Sequence, residues 1–161
     1  MLKGRRTNLM IAVIMLLVVV TPSVESAYAQ WIQAKIINRS PNAVVIKNGQ
    51  LKWGKWYDNG GNKDQVVQAP NVTVNAHSAK IAFSSSGRSW SASGTQGSVE
   101  LWSQSVKIGT FVWDCPWGSK TNSYDITDKG ADYVISVDGG SRYGGAIGIV
   151  SITVAYVPVN S

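Results

Sequence analysis

The chain has 161 residues, of which 44% are hydrophobic and 15% are charged, and its formal net charge is +6 at pH 7. Of the 15 basic side chains, 3 lie at residues 3–6 and the other 12 are spread along the chain without a cluster, so we expect no nucleic-acid partner. With 1 histidine and 1 cysteine, far apart in the sequence, the chain lacks the ligand spacing of a zinc site, and we expect no cofactor.

The beginning of the chain has the layout of a secretory signal peptide. A basic stretch at residues 3–6 precedes an apolar run at residues 9–20, which is short for a membrane-spanning helix. Small residues follow, and we place the cleavage site within residues 26–29; an uncleaved membrane anchor is the alternative. We therefore expect a secreted protein with a signal peptide at residues 1–26 and one domain at residues 27–161.

The mature chain predicted in this way has 135 residues, enough for one domain with a hydrophobic core. Its 12 basic and 8 acidic side chains give a net charge of +4, which favours approach to anionic or zwitterionic membrane surfaces. A single cysteine, Cys115, leaves no internal disulfide. We expect Cys115 to be a small buried hydrophobic residue.

Segments of alternating polarity, separated by turn residues such as Asn48-Gly49, follow one another along the mature chain. No helical periodicity competes with them. Nine strands are predicted: Trp31 to Asn38, Ala43 to Lys47, Leu51 to Tyr57, Val72 to Ala76, Ala79 to Ser84, Ser98 to Trp102, Val106 to Trp113, Tyr133 to Asp138 and Ile147 to Val157. Short strands at this spacing indicate a single all-β domain, an antiparallel sandwich or barrel.

Residues for catalysis are scarce. His77 lies in a polar run between two predicted strands, and nothing near it suggests a nucleophile or a triad. Asp125, Asp128 and Asp132 surround a predicted turn and have the character of solvated loop charges, not of a paired-carboxylate site. We therefore expect that the protein is not an enzyme.

The aromatic residues are unusual, with 7 tryptophans against 2 phenylalanines. Trp53 and Trp56 flank Gly54-Lys55, and Trp90 lies in a polar loop with no apolar neighbours to bury it. Trp113 and Trp117 stand where a strand ends, and they could cap the core. Indole rings also suit the boundary between water and lipid, or the face of a sugar. The residues thus leave two binding hypotheses, a membrane-lipid binder and a surface lectin.

Several motifs then indicate a family. In order and approximate spacing, the chain resembles the aegerolysins in these segments: Ala27-Tyr28-Ala29-Gln30-Trp31, Trp53-Gly54-Lys55, Gly87-Arg88-Ser89, Gly94-Thr95-Gln96-Gly97 and Trp113-Asp114-Cys115-Pro116-Trp117-Gly118-Ser119-Lys120-Thr121-Asn122. The last block is highly specific. Residues 123–161 match mainly in their strand-rich character.

The resemblance implies a small β-sandwich that binds sphingolipid headgroups, of sphingomyelin or of ceramide phosphoethanolamine, as a peripheral protein on a target-cell membrane. It also implies a partner of the membrane-attack-complex/perforin type, which would supply the wall of a two-component pore. The expected lipid-binding residues are Trp31, Trp53, Trp113, Trp117 and Lys120 from the resemblance, with Trp56 and Trp90 added from the aromatic pattern.

Two positions depart from the family pattern. Ser93 stands where related sequences carry a glutamate linked to sterol-dependent recognition, and Val112 stands where they carry a tyrosine. The resemblance therefore does not extend to a preference for sphingomyelin mixed with cholesterol.

Overall fold

The computed structural model describes residues 29–89, 91–118 and 120–158, so the signal peptide predicted at residues 1–26 lies outside the described part of the chain. The described residues form these strands: β1 (Trp31–Asn38), β2 (Val44–Trp53), β3 (Lys55–Trp56), β4 (Val72–Val74), β5 (Ser78–Ser86), β6 (Thr95–Ser103), β7 (Val106–Cys115), β8 (Ser123–Thr127), β9 (Tyr133–Gly139) and β10 (Gly148–Tyr156). In these ranges no helix is long and apolar enough to cross a bilayer.

The strands form two sheets that pack face to face. Sheet A has the order β3-β5-β1-β10-β9, and sheet B has the order β4-β2-β6-β7-β8. The first and last strands, β1 and β10, are parallel neighbours in sheet A. The other strand pairs are antiparallel. The prediction of an all-β antiparallel sandwich is thereby confirmed, with one parallel pair that local alternation did not reveal.

The core lies between the sheets and consists of the inward row of each strand. In β10, the side chains of Val150, Ile152 and Val154 are fully buried, as the alternation in the sequence predicted. Phe83 of sheet A and Phe111 of sheet B meet across the interface, with ring centroids 5.8 Å apart. Burial of such apolar surface contributes about 25 cal/mol per Å². It holds together a domain whose one cysteine leaves no internal disulfide.

The predicted strand from Leu51 to Tyr57 is divided in two. Gly54 has a φ of 98°, a conformation that favours glycine, and here the chain leaves β2 of sheet B and enters β3 of sheet A. A side chain at Gly54 would also collide with the backbone of Ser86. Trp56 and Tyr57 would face opposite sides of one continuous strand, but after this crossing both side chains are buried.

Two further differences concern short segments. Asn48-Gly49 is not a turn but part of β2, where the register shifts between Lys47 and Gln50 and Asn48 has a φ of 54°. Such an irregularity is a β-bulge, which bends a strand without ending it. The strand β8 was not predicted, although it alternates, because its inward face carries only Tyr124 and Ile126.

Candidate functional site

One end of the sandwich, which we call the tryptophan end, gathers the termini of several strands. In sheet B, β2 ends at Trp53, β6 begins at Thr95, β7 ends at Cys115 and β8 begins at Ser123. In sheet A, β1 begins at Trp31, and Trp31 pairs with Ser86, the last residue of β5. The tertiary fold therefore brings together loops that are far apart in the sequence.

The loops at this end are held in place by close backbone contacts. A Cβ atom on Gly94 would collide with the carbonyl oxygen of Cys115, so the loop before β6 lies directly on the loop after β7. The side-chain amide of Asn122 donates hydrogen bonds to the carbonyl oxygens of Ser141 at 3.0 Å and Gly145 at 3.2 Å. These bonds fix the loop between β7 and β8 against the loop between β9 and β10.

Two of the predicted tryptophans line one cavity of about 360 Å³, which we call the tryptophan cleft. Trp53 is 57% exposed at one wall, and Trp117 is half-buried. Gln96 and Asp114 add an amide and a carboxylate, and Ser93 adds a hydroxyl. The cleft thus combines aromatic surface with a few polar groups, as small-ligand sites usually do.

Lys120 and Trp31 lie at the same end but do not line the tryptophan cleft. Lys120 is exposed on the loop that carries Trp117. Trp31 is half-buried, and the ammonium of Lys63 lies over its ring, 4.6 Å from the ring centroid. The structure therefore brings Trp53 and Trp117 together in the cleft, and it places Lys120 and Trp31 at the same end of the sandwich but outside the cleft.

Trp113 and Trp56 correct the sequence analysis, which assigned both of them to the lipid-facing surface. Trp113 is 2% exposed, and its ring stacks on Phe83 at 5.3 Å; Trp56 lies edge-on to Trp113 at 5.7 Å. Rings that are enclosed by the core have no surface to offer a lipid. Trp90, which like Trp56 was predicted from the aromatic pattern, lies outside the described residues.

A second concavity adjoins the tryptophan cleft on the outer face of sheet B. It has a volume of about 590 Å³, and we call it the polar groove. Gln96 and Asp114 line both cavities and form the wall between them. Val112, one of the two departures from the family pattern, lines the groove, whereas Ser93, the other, lines the cleft.

Sequence reasoning assigned no role to Gln96 or Asp114, although both lie in motifs that it used. The signal that could have found them is the pairing register, which aligns Gln96 with Trp53 on one side and with Asp114 on the other. Aligned residues of neighbouring strands point to the same face of a sheet. That register depends on contacts between distant segments, so it could not be read from any single strand.

The groups capable of covalent or metal chemistry do not form a site in the described part of the chain. Cys115 is buried, as predicted, and burial raises the pKa of its thiol to about 11, so the thiol stays protonated and unreactive near neutral pH. His77 is exposed in the turn between β4 and β5. Residues 29–158, without positions 90 and 119, contain no group of three or more metal-binding side chains.

Known proteins of similar sequence and structure identify the family. Asp-hemolysin of Aspergillus fumigatus is 40% identical over 131 residues, covering 80% of this chain and 94% of that protein. Ostreolysin A6 of Pleurotus ostreatus is 34% identical over 131 residues, covering 78% and 94%. The RahU protein, crystallised in complex with a Tris molecule, has a similar fold, with a TM-score of 0.76 and 38% identity over 83% of this chain and 100% of that one.

The sequence pattern of the Aegerolysin family matches residues 29–157, which include all ten strands of the sandwich. The same family was indicated by the sequence motifs, such as the block at residues 113–122. The identity to Asp-hemolysin and ostreolysin A6 supports it as well. The chain is therefore a member of the aegerolysin family.

Proposed function

We propose that this protein binds sphingolipid headgroups, of sphingomyelin or of ceramide phosphoethanolamine, at the surface of a membrane. The observation that carries the proposal is the tryptophan cleft, in which Trp53 and Trp117 meet at one end of a rigid sandwich. The names of two relatives, Asp-hemolysin and ostreolysin A6, refer to lysis and support a membrane target.

The physical basis is the amphipathic character of the indole ring. Its body is apolar and its N–H needs a polar partner, so it is stable in the headgroup region of a bilayer. The exposed ammonium of Lys120 is available to a lipid phosphate, an interaction strengthened by charge. Indole faces in this protein already accept cations, because Lys63 lies over Trp31 and Lys47 lies over Trp102.

We expect the protein to reach its membrane from outside the cell that makes it. The family match begins at residue 29, which supports treating residues 1–26 as a signal peptide that is removed on secretion. N-terminal sequencing of the secreted protein tests this directly. A first residue between positions 27 and 30 would support it, and a retained Met1 would contradict it.

A second protein, of the membrane-attack-complex/perforin type, would supply the pore wall. In this account the bound aegerolysin is a docking platform and makes no covalent chemistry. We therefore expect the purified protein to bind sphingolipid vesicles without releasing an encapsulated dye. Rapid dye release by the purified protein alone would show that it forms pores without a partner.

The contribution of Lys120 can be measured by co-sedimentation with sphingomyelin or ceramide phosphoethanolamine vesicles. Lys120→Ala should weaken binding about fivefold to tenfold, because a charge-assisted contact with phosphate is lost. The matched control is Lys129→Ala, which removes the same charge from an exposed position after β8, at the opposite end of the sandwich.

The comparison of the two lysine variants separates a direct contact between Lys120 and a lipid phosphate from the effect of lowering the protein's net charge. Equal weakening by both variants would contradict a specific role for Lys120. Binding of the unmodified protein to immobilised glycans, with no dependence on sphingolipid, would instead support the lectin hypothesis and contradict the lipid-binding proposal.

A further inference from the structure

The loop between β9 and β10, residues 140–147, lies at the tryptophan end of the sandwich. β9 runs toward this end, and β10 starts from it at Gly148, which pairs with Ile32, the second residue of β1. The loop therefore leaves sheet A beside Trp31. The sequence analysis assigned it no role, although it contains an aromatic residue, Tyr143.

One residue, Asn122, fixes the backbone of this loop at four carbonyl groups. Its backbone N–H donates a hydrogen bond of 3.0 Å to the carbonyl oxygen of Arg142. Its side-chain amide donates to the carbonyl oxygens of Ser141, Tyr143 and Gly145. Asn122 is itself buried, so these bonds are shielded from water and hold the loop in one conformation.

Further contacts attach the loop to the core. The backbone N–H of Ser141 donates a hydrogen bond of 2.7 Å to the carbonyl oxygen of Ile147, whose side chain is buried among the core residues. The thiol of Cys115 donates to the carbonyl oxygen of Gly145 at 3.4 Å. None of these contacts uses the ring of Tyr143, so the loop does not need that ring to keep its shape.

The side chain of Tyr143 is 81% exposed, a larger fraction than for any other exposed large hydrophobic side chain in the described part of the chain. It lines neither the tryptophan cleft nor the polar groove. Single exposed apolar residues are common on protein surfaces. Tyr143 differs from them because a backbone fixed by hydrogen bonds holds its ring in water.

The strand register places Tyr143 at about the level of Trp53. The row of paired residues that begins at Trp53 in β2 crosses β6 and β7 and ends at Ser123 in β8. Asn122 lies one residue further out, and its amide contacts the carbonyl oxygen of Tyr143. A membrane surface that meets the tryptophan cleft can therefore also meet the ring of Tyr143.

We propose that Tyr143 is a further membrane-contacting residue, whose ring enters the headgroup region beside the tryptophan cleft, and that Asn122 is the positioning residue that holds it there. The proposal rests on the lipid-binding function and adds a contact that the cleft does not provide. A phenol ring has an apolar body and one hydroxyl group, which suits the boundary between water and lipid. This contact needs a bilayer surface but no particular headgroup.

Vesicle co-sedimentation tests the contact. Tyr143→Ser should weaken binding to sphingomyelin vesicles and to ceramide phosphoethanolamine vesicles by the same factor, about fivefold, because less apolar surface leaves water. The matched control is Tyr156→Ser, at the last residue of β10 and the opposite end of the sandwich, which should leave binding unchanged. Full binding by Tyr143→Ser, an equal loss in Tyr156→Ser, or a loss confined to one sphingolipid would overturn the proposal.

An environment-sensitive dye shows whether position 143 enters the bilayer. The one natural cysteine, Cys115, is buried, so a nitrobenzoxadiazole label can be directed to Tyr143→Cys. We expect its emission to rise and to shift to shorter wavelength when the labelled protein binds sphingolipid vesicles. The same label on Tyr156→Cys should show no change. A label at position 143 that stays in water while the protein is bound would overturn the proposal.

The positioning role of Asn122 is tested by a double-mutant cycle. If Asn122 holds Tyr143 at the membrane, Asn122→Ala/Tyr143→Ser should bind vesicles as weakly as Asn122→Ala alone. If Asn122 only stabilises the fold, the two losses should multiply, and that result would overturn the positioning role. Asn122→Ser serves in the same cycle where Asn122→Ala does not fold.

Trp117→Ala separates this proposal from the function on which it rests. If only the loop proposal is wrong, Trp117→Ala weakens binding to sphingolipid vesicles whereas Tyr143→Ser binds as the unmodified protein does. If the unmodified protein binds no sphingolipid vesicle, both the lipid-binding function and the loop proposal are overturned.

Discussion

Replacement of Trp113 by alanine should lower the free energy of unfolding by about 3–5 kcal/mol, the range for large aromatic side chains removed from a core. The ring of Trp113 is enclosed by aromatic neighbours, with centroid distances of 5.3 Å to Phe83, 6.0 Å to Phe111 and 5.7 Å to Trp56. Its indole nitrogen also donates a hydrogen bond of 3.2 Å to the hydroxyl oxygen of Thr95. Urea denaturation followed by circular dichroism measures the change.

Two control variants show whether the loss of stability in Trp113→Ala comes from the space that the indole leaves in the core. Trp113→Phe retains much of the aromatic packing and should cost less than Trp113→Ala. Trp117→Ala removes the same side chain from the tryptophan cleft, where it is half-buried, and should change stability by about 1 kcal/mol or less. A stability loss for Trp113→Ala no larger than that for Trp117→Ala would contradict the burial of Trp113.

The double variant Trp53→Ala/Trp117→Ala should reduce the affinity for sphingolipid vesicles about 100-fold. Each ring that enters the headgroup region removes apolar surface from water at about 25 cal/mol per Å². Partial insertion of each indole then contributes about 1.4 kcal/mol to the binding free energy. This corresponds to a factor of about ten in affinity for each ring. Co-sedimentation over a range of lipid concentrations gives the two affinities.

Trp102→Ala is the matched control for this prediction. Trp102 lies on β6 of the same sheet, half-exposed beneath the ammonium of Lys47, and its backbone pairs with residues far from the tryptophan end. Its removal takes away an indole of comparable accessibility but should leave vesicle binding unchanged. A 100-fold loss in Trp102→Ala, or full binding by the double variant, would contradict the assignment of the docking surface.

Much of the fold could be predicted because alternation and turn residues are local signals. β1 has the predicted bounds, and the buried face of β10 agrees with the sequence analysis, since every second residue, Val150, Ile152 and Val154, is buried. Gly54 could not be interpreted in this way. A glycine inside an alternating segment does not show whether the chain continues or crosses to another sheet, and the crossing at Gly54 depends on the packing of Ser86 and Thr95 around it.

The candidate site was only partly predictable for a similar reason. The segment before Trp113 carries apolar residues on both faces, so its alternation did not show which face was buried. In the structure Phe111, Trp113 and Cys115 point inward, while Val112 and Asp114 face outward. The resemblance grouped Trp53 and Trp117 as expected lipid-binding residues, but their meeting in one cleft depends on the register of three strands and on loop packing, which no single segment shows.

Fluorescence quenching by brominated lipids tests the orientation of the docked protein most directly. Bromine atoms near the headgroup region quench those indoles that enter it. We expect strong quenching of the unmodified protein on sphingolipid vesicles. Most of this quenching should be lost in Trp53→Phe/Trp117→Phe and retained in Trp102→Phe. Undiminished quenching in Trp53→Phe/Trp117→Phe, or its loss in Trp102→Phe, would show that another surface of the sandwich faces the membrane.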